Sequence, residues 1–152
     1  QAPDSSTTIR NMPADAMVIK VDIFNSPDKI FNGNRGECKR CDYVIICPEK
    51  RCILHIEIKR TKDKAGRKHI VEQLKGGQCF VSYCRTIGKH FWDKEDFLSG
   101  YKNRFISIGH TNIAKKKTRT DKQSKRHDTP DNAMKVDWPN YLQFNHLAGL
   151  GA

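Results

Sequence analysis

Two apolar runs rich in β-branched residues, 42–47 and 52–60, are separated only by Pro48-Glu49-Lys50-Arg51. Strand-like runs joined by so short a turn fold back as an antiparallel hairpin, so the start of the first lies beside the end of the second. That brings Asp42 close to Glu57 and Lys59. Residues two apart share a face of an extended strand, so His55, Glu57 and Lys59 point one way and Leu54, Ile56 and Ile58 the other. Asp42 shares its face with Val44 and Ile46, which makes the predicted site a polar corner on an otherwise buried sheet. The plainer alternative is a set of strand-edge charges, with Glu57 paired to Lys59 in solvent.

The rest of the chain supplies elements around this hairpin. Residues 17–24 alternate as a strand, Ser26-Pro27-Asp28 suits the start of a short helical turn, and residues 32–36 read as a loop. A helix is predicted over 63–77, carrying His69 and Gln73 and closed by Gly76-Gly77. A third core strand follows over 79–84, a short amphipathic helix over 91–98 and another strand over 104–109. The expected fold is α/β (α+β), a mixed central sheet flanked by helices. A length of 152 residues suits one domain. We expect a flexible lead-in over 1–16, a core over 17–110, a basic loop or linker over 111–130, and a C-terminal segment over 131–152 that packs on the core or a partner. Trp138, Tyr141 and Phe144 in that last segment suit either base stacking or anchoring to the core.

Charge narrows the partners. Lys and Arg number 28 against 17 Asp and Glu, a net charge of +11 that attracts polyanions. Lys115, Lys116, Lys117, Arg119, Lys122, Lys125 and Arg126 are opposed only by Asp121, a pattern that neutralises phosphates without reading sequence or merely solubilises a loop. Lys62, Lys64, Arg67 and Lys68 follow the Glu57 strand and can grip a nucleic-acid backbone nearer the polar corner. No run approaches the roughly 18 apolar residues of a membrane span. Nor does a charged segment followed by an apolar one open the chain, so an intracellular, cytoplasmic protein is expected. Gln1 in place of an initiator Met leaves the upstream end open.

Six cysteines offer a different reading. Cys38 and Cys41 have zinc-ligand spacing, and Cys47 and Cys52 flank the turn, so the four can be drawn as a structural zinc site in a non-catalytic nucleic-acid-binding module. The second pair does not repeat the spacing, and a thiol in strand-like sequence is commonly a small apolar filler. Reduced thiols are the default expectation.

Two carboxylates and an ammonium suit metal-dependent hydrolysis of a phosphodiester. The pattern Cys41-Asp42-Tyr43-Val44-Ile45-Ile46, then Ile56-Glu57-Ile58-Lys59, then Glu72-Gln73-Leu74 resembles the PD-(D/E)xK nuclease superfamily, over roughly residues 17–110. The resemblance implies a restriction-endonuclease-like fold and a Mg²⁺ or Mn²⁺ ion bound by Asp42 and Glu57, with Ile58 among the metal contacts. It further implies that Lys59 assists the nucleophilic water and that Gln73 supports the site. Cys41 stands where the family usually has Pro. For the acid that many members contribute from their first helix, Glu37, Asp22 and Asp28 are the candidates. The implied activity is a DNA endonuclease leaving 5′-phosphate and 3′-hydroxyl ends, in restriction, phage (antiviral) defence or junction processing. A homodimer would cut both strands; a larger effector complex is the other expected assembly. A third reading is an inactive nuclease-like scaffold for protein contacts.

Overall fold

The computed structural model describes residues 7–59, 66–109, 126–137 and 142–150. Its elements are β1 (Ile9–Arg10), β2 (Met17–Lys20), β3 (Tyr43–Cys47), β4 (Cys52–Lys59), α1 (Gly66–Phe91), β5 (Lys102–Gly109), β6 (Met134–Asp137), β7 (Leu142–Gln143) and α2 (Phe144–Ala148). Strands β2 to β6 form one mixed sheet in sequence order, antiparallel from β2 to β4 and parallel from β4 to β6. β1 and β7 make a separate parallel pair. The chain is therefore mixed α/β. No described helix is long and apolar enough to cross a membrane.

The hairpin forms as its sequence predicts, with Tyr43 opposite Ile56 and Cys47 opposite Cys52. Parallel pairing of β4 with β5 requires a crossover, which α1 supplies. The sheet is buried on both faces. On one, Val44, Ile46, Ile53 and Phe105 pack with Leu74 and Val81 of α1. On the other, Ile45, Leu54, Ile56, Ile106 and Ile108 pack with Leu142 and with Phe144 and Leu147 of α2.

The region after the hairpin departs from expectation. Residues 66–91 form one helix, so Gly76-Gly77 does not end it, and 79–84 is helix rather than a third core strand. No helix spans 91–98, where α1 gives way to turns after Phe91. The reason is packing. A Cβ on Gly76 would lie 1.9 Å from the Lys39 carbonyl oxygen, and one on Gly77 would lie 2.4 Å from Cys41 Sγ. The two glycines admit the 39–41 segment against the helix, and the contact outweighs the roughly 1 kcal/mol that each glycine costs in helix propensity. Buried Val71, Leu74, Gly77, Val81 and Gly88 carry the helical period across the pair. The strand predicted over 17–24 also ends early, at Lys20, and continues as a short 3₁₀ turn, Val21–Ile23.

Gly76→Ala should thus destabilise the protein despite alanine's better helix propensity, by about 2 kcal/mol or more from overpacking against backbone. Urea unfolding would measure it; a gain in stability would mean that α1 does not approach residue 39 this closely.

Candidate active site

The hairpin register ends with Tyr43 opposite Ile56, and one step farther it sets Asp42 beside Glu57. Backbone bonds fix the two carboxylates reciprocally. The Ile58 N–H donates to Asp42 Oδ2 at 2.8 Å, and the Asp42 N–H donates to the Glu57 carboxylate. Gln73, on α1, hydrogen-bonds the same Glu57 carboxylate through its side chain. Lys59, two residues along β4, bears on Glu57 electrostatically. Asp42, Glu57, Lys59 and Gln73 therefore share one corner, and Ile58 lies between the two charged residues of β4.

Burial sets the electrostatics. Glu57 is 3 % exposed, not a solvated strand-edge charge. Its carboxyl is pushed up to about 8, first by loss of water, then by the Asp42 charge, while Lys59, the Asp42 N–H and Gln73 pull the other way. Two oxygens, Glu57 Oε2 and Gln73 Oε1, are buried without a hydrogen-bond partner. Such atoms are costly to leave unmet and are common where a site takes a ligand.

Neighbouring strands complete the corner with residues that sequence reasoning did not single out. The β4–β5 register puts Ser107 beside Glu57 and Gly109 beside Lys59. Ser107 is buried. A Cβ on Gly109 would stand 3.8 Å from Lys59 Cβ, an ordinary contact, so the glycine is not needed to make room for the lysine. Only the strand pairing could have revealed either residue. His55 is a core residue: it stacks on Phe105 with ring centroids 4.4 Å apart and meets Asn103 Oδ1 at 3.0 Å through Nε2. Burial drives its pKa down to about 4, so the imidazole is neutral at pH 7.

The candidates for a further acid do not join the corner. Asp22 pairs with Lys20 at 3.7 Å, Glu37 accepts the Arg35 N–H at 2.8 Å, and Asp28 is exposed in a short 3₁₀ turn. Among the described residues, no group of three His, Cys, Asp or Glu side chains is arranged to hold a metal. The four thiols of the zinc reading are divided: Cys41 packs on the α1 side of the sheet, while Cys47 and Cys52 pack on the other. Cys38 Sγ lies 3.6 Å from the Phe31 carbonyl oxygen. All six cysteines are free thiols.

The basic residues fall in separate places. Arg67 and Lys68 are exposed at the start of α1. Arg126 lines a different concavity, with Lys102, Arg104 and Asp128. Lys62, Lys64, Lys115, Lys116, Lys117, Arg119, Lys122 and Lys125 lie outside the described residues, as do Trp138 and Tyr141. Phe144 is fully buried in the core, so it anchors the C-terminal segment and is not available to stack on bases.

No family model matches the chain, and neither the curated proteins nor the solved structures contain a match.

The raised Glu57 pKa predicts a pH signature. A carboxyl whose folded pKa lies above its unfolded value binds its proton more tightly when folded. Its stabilisation is complete below about 4.5 and is lost as pH rises through about 8. Glu57→Gln, which keeps a neutral side chain of the same shape, should gain stability relative to the parent between pH 5 and pH 8.5, on the order of a few kcal/mol. Thermal melts of both proteins across that range would read the difference; a constant offset would mean that Glu57 ionises normally.

Proposed function

We propose that the chain is a divalent-metal-dependent DNA endonuclease of restriction-endonuclease-like fold, acting through Asp42, Glu57, Lys59 and Gln73. The observation that carries this reading is the pair of backbone-fixed carboxylates closed over by Gln73, with one oxygen on Glu57 and one on Gln73 left without partners. The element order of three antiparallel strands, a helix and a strand parallel to the third agrees with it.

The donors in the corner fit Mg²⁺ or Mn²⁺. The Asp42 and Glu57 carboxylates, the Ile58 carbonyl and the Gln73 amide oxygen are all hard oxygen ligands, the type such ions prefer. A bound ion would supply positive charge against the phosphate and ease ionisation of a nearby water. The protein's own contributions are distinct. The Ile58 N–H and the Asp42 N–H hold the carboxylates in place, so little ordering is needed on binding. Gln73 turns the Glu57 carboxylate from the helix side, and Lys59 offers an ammonium to orient the attacking oxygen or meet charge growing on the phosphate. The surrounding core excludes water from Glu57. DNA, a homodimer and a role in restriction, defence or junction processing belong to the same proposal.

Two measurements test it. Supercoiled and linear DNA should be cut with Mg²⁺ or Mn²⁺, remain intact with chelator, and remain intact with Glu57→Ala or Lys59→Ala, the losses being about 100-fold or more, as for removal of a charge-stabilising group. Cleavage that persists in both variants would remove the site from the reaction. Because Glu57 holds a proton near pH 7, metal binding should also release close to one proton. Calorimetry at pH 7 in two buffers of different ionisation enthalpy would then give different apparent heats. Identical heats would show that no Glu57 proton is displaced, and loss of metal binding in Glu57→Gln would then decide whether the residue is a ligand.

A further inference from the structure

A groove of about 570 Å³ runs along the first turns of α1, lined by Asn34, Arg35, Arg67, Lys68, Val71, Glu72, Lys75 and Asp131. The loop around Arg35 forms one lip. The 3₁₀ turn Pro130–Asn132 forms the other, where Arg67 Nη2 donates to the Asp131 carbonyl at 2.6 Å. Arg35, Arg67, Lys68 and Lys75 are all exposed. Two carboxylates, Glu72 and Asp131, line the groove with them, and Glu72 is already engaged, forming an ion pair with Lys39 and lying 3.9 Å from Lys68 Nζ. Four cations thus line the groove against two acids.

The groove and the polar corner share the first half of α1 but lie on different sides of it, Glu72 and Gln73 being about 100° apart round the helix. Glu72 in the groove and Gln73 on Glu57 are consecutive residues of α1, and the 36–41 segment that crosses the helix at Gly76 leads directly into Asp42. The other basic concavity, with Lys102, Arg104 and Arg126, lies elsewhere. Lys102 and Gly109 mark the two ends of β5, and Gly109 is the residue paired with Lys59. Seven strand steps separate them, roughly 23 Å. The guanidinium of Arg104 is tied down at two nitrogens, its Nε donating to the Leu147 carbonyl at 2.9 Å and another nitrogen to that of Arg126, whereas the bond of Arg67 to the Asp131 carbonyl uses Nη2.

We propose that the groove between the Arg35 loop and the first turns of α1 is where the phosphate backbone of a DNA strand is held next to the acidic corner, with Arg35 and Lys75 as contacts additional to Arg67 and Lys68. This inference rests on the nucleic-acid reading above. Residues 67 to 75 of a helix span roughly 12 Å, enough for two or three phosphates along one strand. The contacts are to backbone, so they position the DNA and carry no sequence preference.

Fluorescence anisotropy with a labelled 30-base-pair duplex over a salt series tests the groove separately from catalysis. All proteins would carry Glu57→Gln so that the duplex stays intact. Arg35→Gln with Lys75→Gln should weaken binding on the order of tenfold and lower the slope of log affinity against log salt by about 2. Lys94→Gln with Lys102→Gln removes the same charge elsewhere and should leave the slope within about 0.5 of the parent value. Equal losses in both pairs would reduce the groove to general electrostatics and overturn the proposal. So would a loss confined to the Lys94 and Lys102 pair, or no binding by the parent. Failure of cleavage with this binding pattern intact would instead overturn the nuclease reading alone.

Discussion

β4 is hydrogen-bonded on both sides and covered on both faces, and the character of the site follows from that confinement. An acid on an edge strand would keep its water and its ordinary pKa. Glu57 has neither. It lies between β3 and β5, under α1, with the charge of Asp42 acting on it more strongly than that of Lys59. Burial of an ionised carboxyl is expensive, and the protein offsets it by retaining the proton and by supplying N–H donors from Asp42 and Gln73. The same confinement places Lys59 at the end of the strand, where exposure increases, close enough to act on Glu57.

Close approach of α1 makes that confinement possible. At Gly76 and Gly77 the helix touches the backbone and thiol of the segment entering β3, and this contact sets how near Gln73, one turn earlier, comes to Glu57. A longer side chain at either glycine would push the helix off the sheet at the point where the carboxylate is closed over. Cys41 fits the same constraint. It is fully buried, its Sγ lies 3.4 Å from the Tyr43 carbonyl oxygen, and its thiol is pushed up to about 12 by burial and by the neighbouring acids. It is a compact neutral filler beside the acids.

The hairpin was legible because its information is local: β-branched runs, a four-residue turn and a period of two suffice to set Asp42 beside Glu57. The helix was not, because Gly-Gly-Gln followed by Cys-Phe-Val-Ser-Tyr-Cys satisfies local rules for a helix stop and a strand. Only contact with Lys39 and Cys41, distant in sequence, explains why the helix runs on. Gln73 could be picked out by resemblance, whereas its bond to Glu57 depends on where that helix lies. Ser107 and Gly109 were invisible because parallel register across a crossover is not written in either strand. Phe144 suits either base stacking or the core on sequence alone, and packing on the second sheet face decides for the core.

Charge at the corner connects these features to the proposed chemistry. With Glu57 protonated, the negative charge of Asp42 and the positive charge of Lys59 cancel, so the corner by itself has little attraction for phosphate. Entry of a divalent cation, with departure of the Glu57 proton, leaves the corner with one net positive charge. On the proposed function, the raised pKa of Glu57 would make phosphate attraction at the corner conditional on the cation, while the net charge of +11 is present with or without it. On this reading the two functions separate physically: the basic surface gathers DNA at any pH near neutrality, and the buried acid admits chemistry only where a cation has replaced its proton.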